Sequence, residues 1–410
     1  MSWPSNQPAV ADSTDIALER WHRQFAANDA AAGIELDDSF ARFSQMNDMF
    51  TRAFWDDTVR NADTDAFFAS YRIEAAPRRG DGFSLKDFAL RNAAWSISDM
   101  ISDRNAEHGE REGFQAPMRA GTPVAAEQLA VEDAATFTAE TKAIARLFGA
   151  DLAGVAEFDP RWHYTERVDV RTFTPTTNEL PDGLTHVLVL GHAMDTELVA
   201  TYPSALAGAA TGLEYSHEAA IVTQIVSYLR NLGFEAIGSM NDTALVIPYV
   251  LKAGLGEYGR NQMIITPQFG PRVRFSKIFT NAPLVADAPR QYGIKQYCDI
   301  CRVCADACPP KALPYGPPTP SGTHSSSIRG VVKWTSDAQK CFGYWAKLKT
   351  DCAICMRVCP FNRDYSKRVS RLFFTLATSP LRRLVHWFIQ RRGPSARLKP
   401  RSWWASRSKL

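Results

Sequence analysis

CDICRVCADACP (298–309) and KCFGYWAKLKTDCAICMRVCP (340–360) contain all eight cysteines of the chain. The first run is spaced Cys298-x2-Cys301-x2-Cys304-x3-Cys308-Pro309. The second is Cys341-x10-Cys352-x2-Cys355-x3-Cys359-Pro360. Four thiolates per run is the ligand count of a [4Fe–4S] centre, and the first run has the bacterial ferredoxin spacing, in which the fourth cysteine ligates the other cluster. This assigns Cys298, Cys301, Cys304 and Cys359 to one cluster, and Cys308, Cys341, Cys352 and Cys355 to the other. Zinc also takes Cys-x2-Cys pairs, but the repeated x3-Cys-Pro ending fits a tetrahedral finger poorly. Disulfides call for cysteines spread over a small secreted domain with a signal peptide. The spacing therefore predicts a chain that moves electrons.

Upstream of these runs the pattern changes character. Apolar residues at helical spacing (Ile16, Leu18, Trp21, Phe25; Phe40, Phe43, Met46, Phe50, Phe54) predict two helices around Gly33. A helix is predicted near Leu85–Asp99, and another over Glu127–Phe148 with Gly149 as its C-cap. Short apolar runs at 186–191, 234–237, 263–266 and 272–281 read as strands. They alternate with helices predicted over 214–231 and 243–252. Strands alternating with helices imply an α/β core. The predicted organisation is a helical and loop region over 1–139 capping an α/β core over 140–290. A ferredoxin-like two-cluster domain over 291–365 and a basic amphipathic tail over 366–410 follow.

The chain has 410 residues, 45% hydrophobic and 22% charged, the balance of a soluble globular protein. Its net charge of +3 conceals an asymmetry. Of 47 basic and 44 acidic side chains, 13 and one lie beyond residue 362, which leaves −9 for the remainder. The tail mixes Trp, Leu and Arg and is too interrupted to span a bilayer. Two readings of it stand: a segment lying on an anionic membrane face, or a basic strap docked on the acidic body of the same chain. The start MSWPSNQPAVADSTD has neither a basic n-region nor an apolar h-region. The expectation is a cytoplasmic protein with peripheral contact at the membrane.

A plain ferredoxin needs only about 60 residues, so electron carriage leaves most of the chain unexplained. The segments GLGEYGRNQMIITPQFGPRVRFSKIFTN (254–281), CDICRVCADACPPKAL (298–313) and KCFGYWAKLKTDCAICMRVCPFN (340–362) resemble the corrinoid-dependent reductive dehalogenases. The resemblance implies an α/β core like that of flavin nitroreductases, with a base-off cobalamin buried beside two [4Fe–4S] clusters. It implies cob(I)alamin, reduced through the clusters, acting on a carbon–halogen bond. By the same resemblance the loop around Gly254, Gly256, Gly259 and Arg260 lines the corrinoid, because glycine permits close backbone approach.

The resemblance also carries over a substrate pocket. In such enzymes a tyrosine on a long helix is the proton donor, preceded four residues earlier by a threonine; these positions match Tyr215 and Thr211. An asparagine follows at Asn241 and an arginine at Arg274, the pattern of the chloroethene-type respiratory members. A guanidinium stabilises a phenolate, which gives Arg274 the expected role of making Tyr215 a better acid. Asn241 is expected to orient the tyrosine or bind the leaving halide through its amide. Trp345, with Trp334, Trp95 and Trp55, is a candidate aromatic wall. Read without the resemblance, Tyr215 is a half-buried core tyrosine, Arg274 a strand residue facing solvent and Asn241 a turn residue.

Two other functions compete. Epoxyqueuosine reductases, which modify tRNA with the same cofactor set, resemble the first cysteine run and the core. They carry a CPWN-type ending and an acidic proton donor, and an acidic body disfavours RNA. An electron-transfer subunit without catalysis would need no pocket quartet. The expected partners are a small organohalide and an external electron donor (a ferredoxin, a flavodoxin or a membrane donor), with no nucleic acid.

Overall fold

The computed structural model describes residues 13–71, 80–107, 122–169 and 172–408. Helix α1 (Ser13–Ala32) closes at Gly33, whose φ of +70° is the left-handed conformation that ends helices without a Cβ penalty. The apolar spacing from Phe40 to Phe54 does not make one long second helix. It makes a loop, a 3-10 turn at Gln45–Asn47 and the short α2 (Met49–Trp55). Asp48 sets that start, its carboxylate accepting from Phe50 N at 2.9 Å. Helices α3 (Ala62–Ala69) and α4 (Leu85–Glu107) follow, the latter longer than predicted. Helix α5 (Ala134–Leu147) begins after Asp133, which caps it, and not at Glu127. The segment before it is held instead by backbone bonds from Ala125 N and Leu129 N to the carbonyls of Arg230 and Leu232.

The centre comprises β1 (Leu152–Glu157), β2 (His186–Ala193), α6 (Ala205–Asn231), β3 (Ala236–Ser239), α7 (Val246–Lys252) and β4 (Val273–Thr280). The sheet order is β1-β2-β4-β3 and every pairing is antiparallel, with Leu188 opposite both Val155 and Ile278. Alternating strands and helices do not by themselves settle strand direction; the register of β2 against β4 does. One face of the sheet packs under α6, where Val222, Ile225 and Leu229 meet Val155, Leu188 and Ile278. The other packs over α7, where Tyr249 and Val250 meet Val187, Val189 and Phe279. A buried ionic network ties α1 to this second layer. Lys252 Nζ lies 2.6 Å from Asp159 and 2.9 Å from Asp29, and Arg161 lies 2.7 Å from each.

Helix α6 starts at Ala205, well ahead of the predicted Glu214. Ser204 caps it, accepting from Ala207 N at 3.0 Å. The run ALAGAATG carries few long apolar side chains, so its periodicity is faint. Its two glycines are there for close packing. A Cβ on Gly208 would fall 2.5 Å from Asp351 Oδ1, and one on Gly212 would fall 2.3 Å from Trp95 Cδ1. Lacking those atoms, α6 lets α4 and the loop before Cys352 lie against its backbone.

The cysteine runs occupy α8 (Ile294–Ile300), α9 (Ala338–Leu348) and neighbouring turns. The tail folds as α10 (Arg368–Ala377), α11 (Arg382–Arg392) and α12 (Pro400–Arg407). Helix α12 docks on the body through acidic partners: Trp404 Nε1 donates to Asp87 at 2.8 Å, Arg401 N to Asp81 at 2.7 Å, and Arg407 pairs with Glu197 at 3.0 Å. Among the described residues, no helix is long and apolar enough to cross a membrane.

Candidate active site

Because α6 begins early, Thr211 and Tyr215 stand one turn apart on its cavity-facing side. Tyr215 is 7% exposed, and its ring lies between two others of opposite character. Trp95 of α4 stacks on one side, with centroids 4.5 Å apart and planes 25° apart. The guanidinium of Arg274, from β4, lies 3.4 Å from the ring centroid. Asn241 Nδ2 donates to the phenol oxygen at 2.6 Å. Trp95, Tyr215, Asn241 and Arg274, up to 179 positions apart in sequence, are thus gathered at one point.

Each is held from behind. The turn after β3 is organised by buried Asp242, which accepts from Met240 N at 2.9 Å and from Thr243 Oγ1 at 2.5 Å. Lys277 Nζ donates to Met240 O at 2.9 Å. Asn241 therefore projects from a fixed turn. Arg274 Nε lies 3.4 Å from Oε2 of Glu218, which is fully buried and has no geometrically ideal partner. Thr211 is turned by Asp351, whose Oδ2 accepts from Thr211 at 2.7 Å and from Tyr202 at 2.6 Å.

The electrostatics bear on the role expected of Arg274. Burial raises the Tyr215 phenol above its usual value; Arg274 and the Asn241 hydrogen bond offset this only in part. The guanidinium moderates a weak acid without making a strong one. Burial also pushes Glu218 up to about 7 and Lys277 down to about 8.

These residues form part of the wall of a cavity of about 1040 Å³, at the upper limit for ordinary small-molecule sites. Its lining is mainly apolar and aromatic and includes no histidine or cysteine. Two lining residues have buried polar atoms without a protein partner, Thr51 Oγ1 and Trp162 Nε1. Such orphans suit a large ligand with an apolar body and a polar fringe. Trp345 packs at a tilt in an aromatic group with Phe50 and Phe67, and Trp334 and Trp95 also line the cavity. Trp55 does not; it is 43% exposed and bonded to Met46 O.

The 254–260 loop departs from its expected role. Gly254, Gly256 and Gly259 lie off the cavity wall; a Cβ there would strike Ala288 O, Ile265 O or the Ile265 side chain. Their missing side chains admit protein. Arg260 is buried and turned toward the cysteine domain. It donates to the carbonyls of Cys298, Cys301, Pro314, Gly316 and Asp299 at 2.8–3.3 Å. It clamps the first cysteine loop, and Glu257 and Tyr258 are the members of this stretch that reach the cavity.

None of the eight cysteines is paired in a disulfide. Cys298, Cys301, Cys304 and Cys359 surround one small void, and Cys308, Cys341 and Cys355 form a second group that meets the first at Cys304 and that Cys352 adjoins. Sequence reasoning missed Glu218, although its position three residues after Tyr215 places it on the same helical side.

Residues 297–362 match the family model described as a 4Fe-4S double cluster binding domain. The chain is 35% identical over 256 residues to a tetrachloroethene reductive dehalogenase of Sulfurospirillum multivorans, covering 56% of this chain and 51% of that protein. A tetrachloroethene reductive dehalogenase of Desulfitobacterium hafniense is 32% identical over 289 residues, covering 60% and 52% respectively. The solved structure of a catabolic reductive dehalogenase aligns with a TM-score of 0.64 at 20% identity, covering 87% of this chain and 47% of that one. Over these spans the chain is similar to reductive dehalogenases. It spans about half the length of the curated relatives it matches. The reductive-dehalogenase resemblance thus extends from the cysteine spacing to the fold: an α/β core beneath a helical N-terminal region, with a ferredoxin-like two-[4Fe–4S] domain after it.

Proposed function

We propose that the protein is a reductive dehalogenase that replaces the carbon–halogen bond of a small organohalide with a carbon–hydrogen bond. The observation that carries this reading is Tyr215, a buried phenol on the wall of a large apolar cavity, bracketed by Arg274 and Trp95 and bonded by Asn241. The overall change consumes two electrons and one proton and releases halide. A base-off corrinoid fits the cavity by size and lining, and when bound it supplies the low-potential reductant that attacks the carbon–halogen bond. Thr51 and Trp162, whose buried polar atoms have no protein partner, are the residues to hold its polar fringe.

The chain's own residues do the rest. The phenol oxygen accepts from Asn241, so its O–H remains the group's donor, and burial keeps that proton in place until a strongly basic carbon centre develops. Arg274 stabilises the phenolate left behind. The aromatic lining excludes water, so the proton comes from a positioned donor. Thr211, fixed by Asp351, shapes the floor beside the tyrosine. The mainly apolar, aromatic-rich lining favours a small apolar haloalkene or haloalkane. The competing epoxyqueuosine reading calls for an acidic donor where Tyr215 stands. Electrons enter from an external donor through the cysteine domain.

The test is anaerobic purification with corrinoid supplied, followed by halide release from chlorinated ethenes. One corrinoid and about eight irons per chain with halide release are expected. Full cofactor loading with no halide released from any small organohalide would overturn the reading.

A further inference from the structure

The tail presents a surface that the cavity chemistry does not use. On α11, Leu384, Trp387 and Phe388 are 54%, 43% and 59% exposed, and their spacing sets them in one stripe. Leu372 and Val369 of α10 extend it. Arginines ring this apolar centre: Arg368, Arg371, Arg383, Arg391 and Arg392 are all exposed, and Arg391 lies 3.9 Å over the Trp387 ring. From Tyr365 to Leu410 there is no acidic residue, whereas the chain up to residue 362 carries a net charge of −9.

The inner side of the same helices touches the cysteine domain. His386 is buried with its ring 5.9 Å from that of Tyr297, and Phe373 lies 6.4 Å from it. Tyr297 belongs to α8, immediately before Cys298. The exposed stripe is therefore about one helix diameter, roughly 10 Å, from the Cys298 group. Apolar centre, charged rim and modest area describe a transient redox interface.

We propose that the outer face of α10 and α11 is the docking site of a small acidic electron-transfer protein, which delivers electrons at the Cys298 end of the cysteine domain. The inference rests on the proposed function in requiring an external donor. Charge complementarity selects the partner: the acidic body repels it elsewhere, and the arginine rim steers it here. In each encounter one electron leaves the partner's reduced centre and enters the cysteine-bound centre. Two encounters supply the pair that the reaction consumes, and the proton comes separately from Tyr215.

The experiment uses full-length, cluster-loaded protein with a bacterial two-[4Fe–4S] ferredoxin as the probe. Binding of oxidised ferredoxin and bleaching of the visible cluster band by reduced ferredoxin are measured at low and high salt. Wild type is compared with Arg383→Glu/Arg391→Glu and with Leu384→Ser/Phe388→Ser. The expected result is affinity weakened about tenfold or more in the charge variant, with slower bleaching by ferredoxin and unchanged bleaching by titanium(III) citrate. Wild-type binding and bleaching in both variants would overturn the proposal. So would unchanged ferredoxin binding together with lost sedimentation on phosphatidylglycerol vesicles, which would assign the face to anionic lipid. Ferredoxin binding at this face without organohalide turnover would leave the docking site standing and remove the dehalogenation reading alone.

Discussion

The Arg274 guanidinium stacks 3.4 Å from the centre of the Tyr215 ring while its Nε lies 3.4 Å from Glu218 Oε2, so one cation is shared between a phenol and a buried carboxyl. Tyr215 and Glu218 are three apart on α6, and Arg274 crosses from β4 to reach both. Lys277 on β4 and Asp242 in the turn after β3 also act on Glu218. The charge on Glu218 therefore decides how much of the Arg274 field remains for Tyr215.

Tyr215→Phe removes the proposed donor and keeps the ring between Trp95 and Arg274. Halide release is expected to fall by about 10²–10⁴-fold. Iron and corrinoid content are expected to stay at wild-type levels by elemental analysis and visible spectroscopy. Retained turnover would reassign the proton to another group on the wall.

Glu218→Gln fixes this side chain in the uncharged form. In the wild type, ionisation through about pH 7 offsets Arg274 and raises the phenol further, so kcat is expected to decline as pH rises through that value. The variant should lack this inflection and keep the rate of the acid limb.

The same group sets a stability slope. A carboxyl held near 7 in the fold and at its ordinary value in the unfolded chain makes the native state bind more protons between those values. Stability is then greatest below the ordinary carboxylate range and is lost as pH rises to about 7. Glu214, also raised to about 7 by burial and by Asp151, adds to the slope. Urea unfolding across this window should show a shallower decline for Glu218→Gln than for wild type.

Arg260→Met removes three hydrogen bonds to the first cysteine loop and two to Pro314 and Gly316 beyond it. Outer contacts of this kind typically change metal affinity by about 10–100-fold. Iron retained after gel filtration is expected to fall from about eight towards about four per chain, with corrinoid content unchanged. A loss of corrinoid with full iron would return Arg260 to the cavity.

Gly212→Ala places a methyl group where the Trp95 ring lies. Overpacking of this kind costs about 1–3 kcal/mol and is expected to displace Trp95 from Tyr215. Gly316→Ala, whose Cβ meets nothing within 4 Å, is the neutral control. Equal unfolding curves for the two variants would show that α4 can yield.

The chain dictates locally what depends on spacing. Two cysteine runs with x2 and x3 gaps keep most of the thiolates close along the chain, on short helices and the turns between them. Likewise β2 follows from the apolar run in 186–193, β4 from the alternation of 273–280, and the end of α1 from Gly33. Thr211 and Tyr215 share a helical side because four residues make about one turn. Only the tertiary structure decides the rest, because it depends on contacts between distant segments. The faint start of α6 is helical because α4 packs on Gly208 and Gly212, and that packing brings Trp95 onto Tyr215. Strand direction depends on register, which no single strand encodes. The glycines at 254–259 are close-packed against protein, and Arg260 serves the cysteine loop, because the chain folds back there upon itself. Glu218 is an ordinary helix residue in the sequence; burial beneath β4 makes it the counter-charge of Arg274.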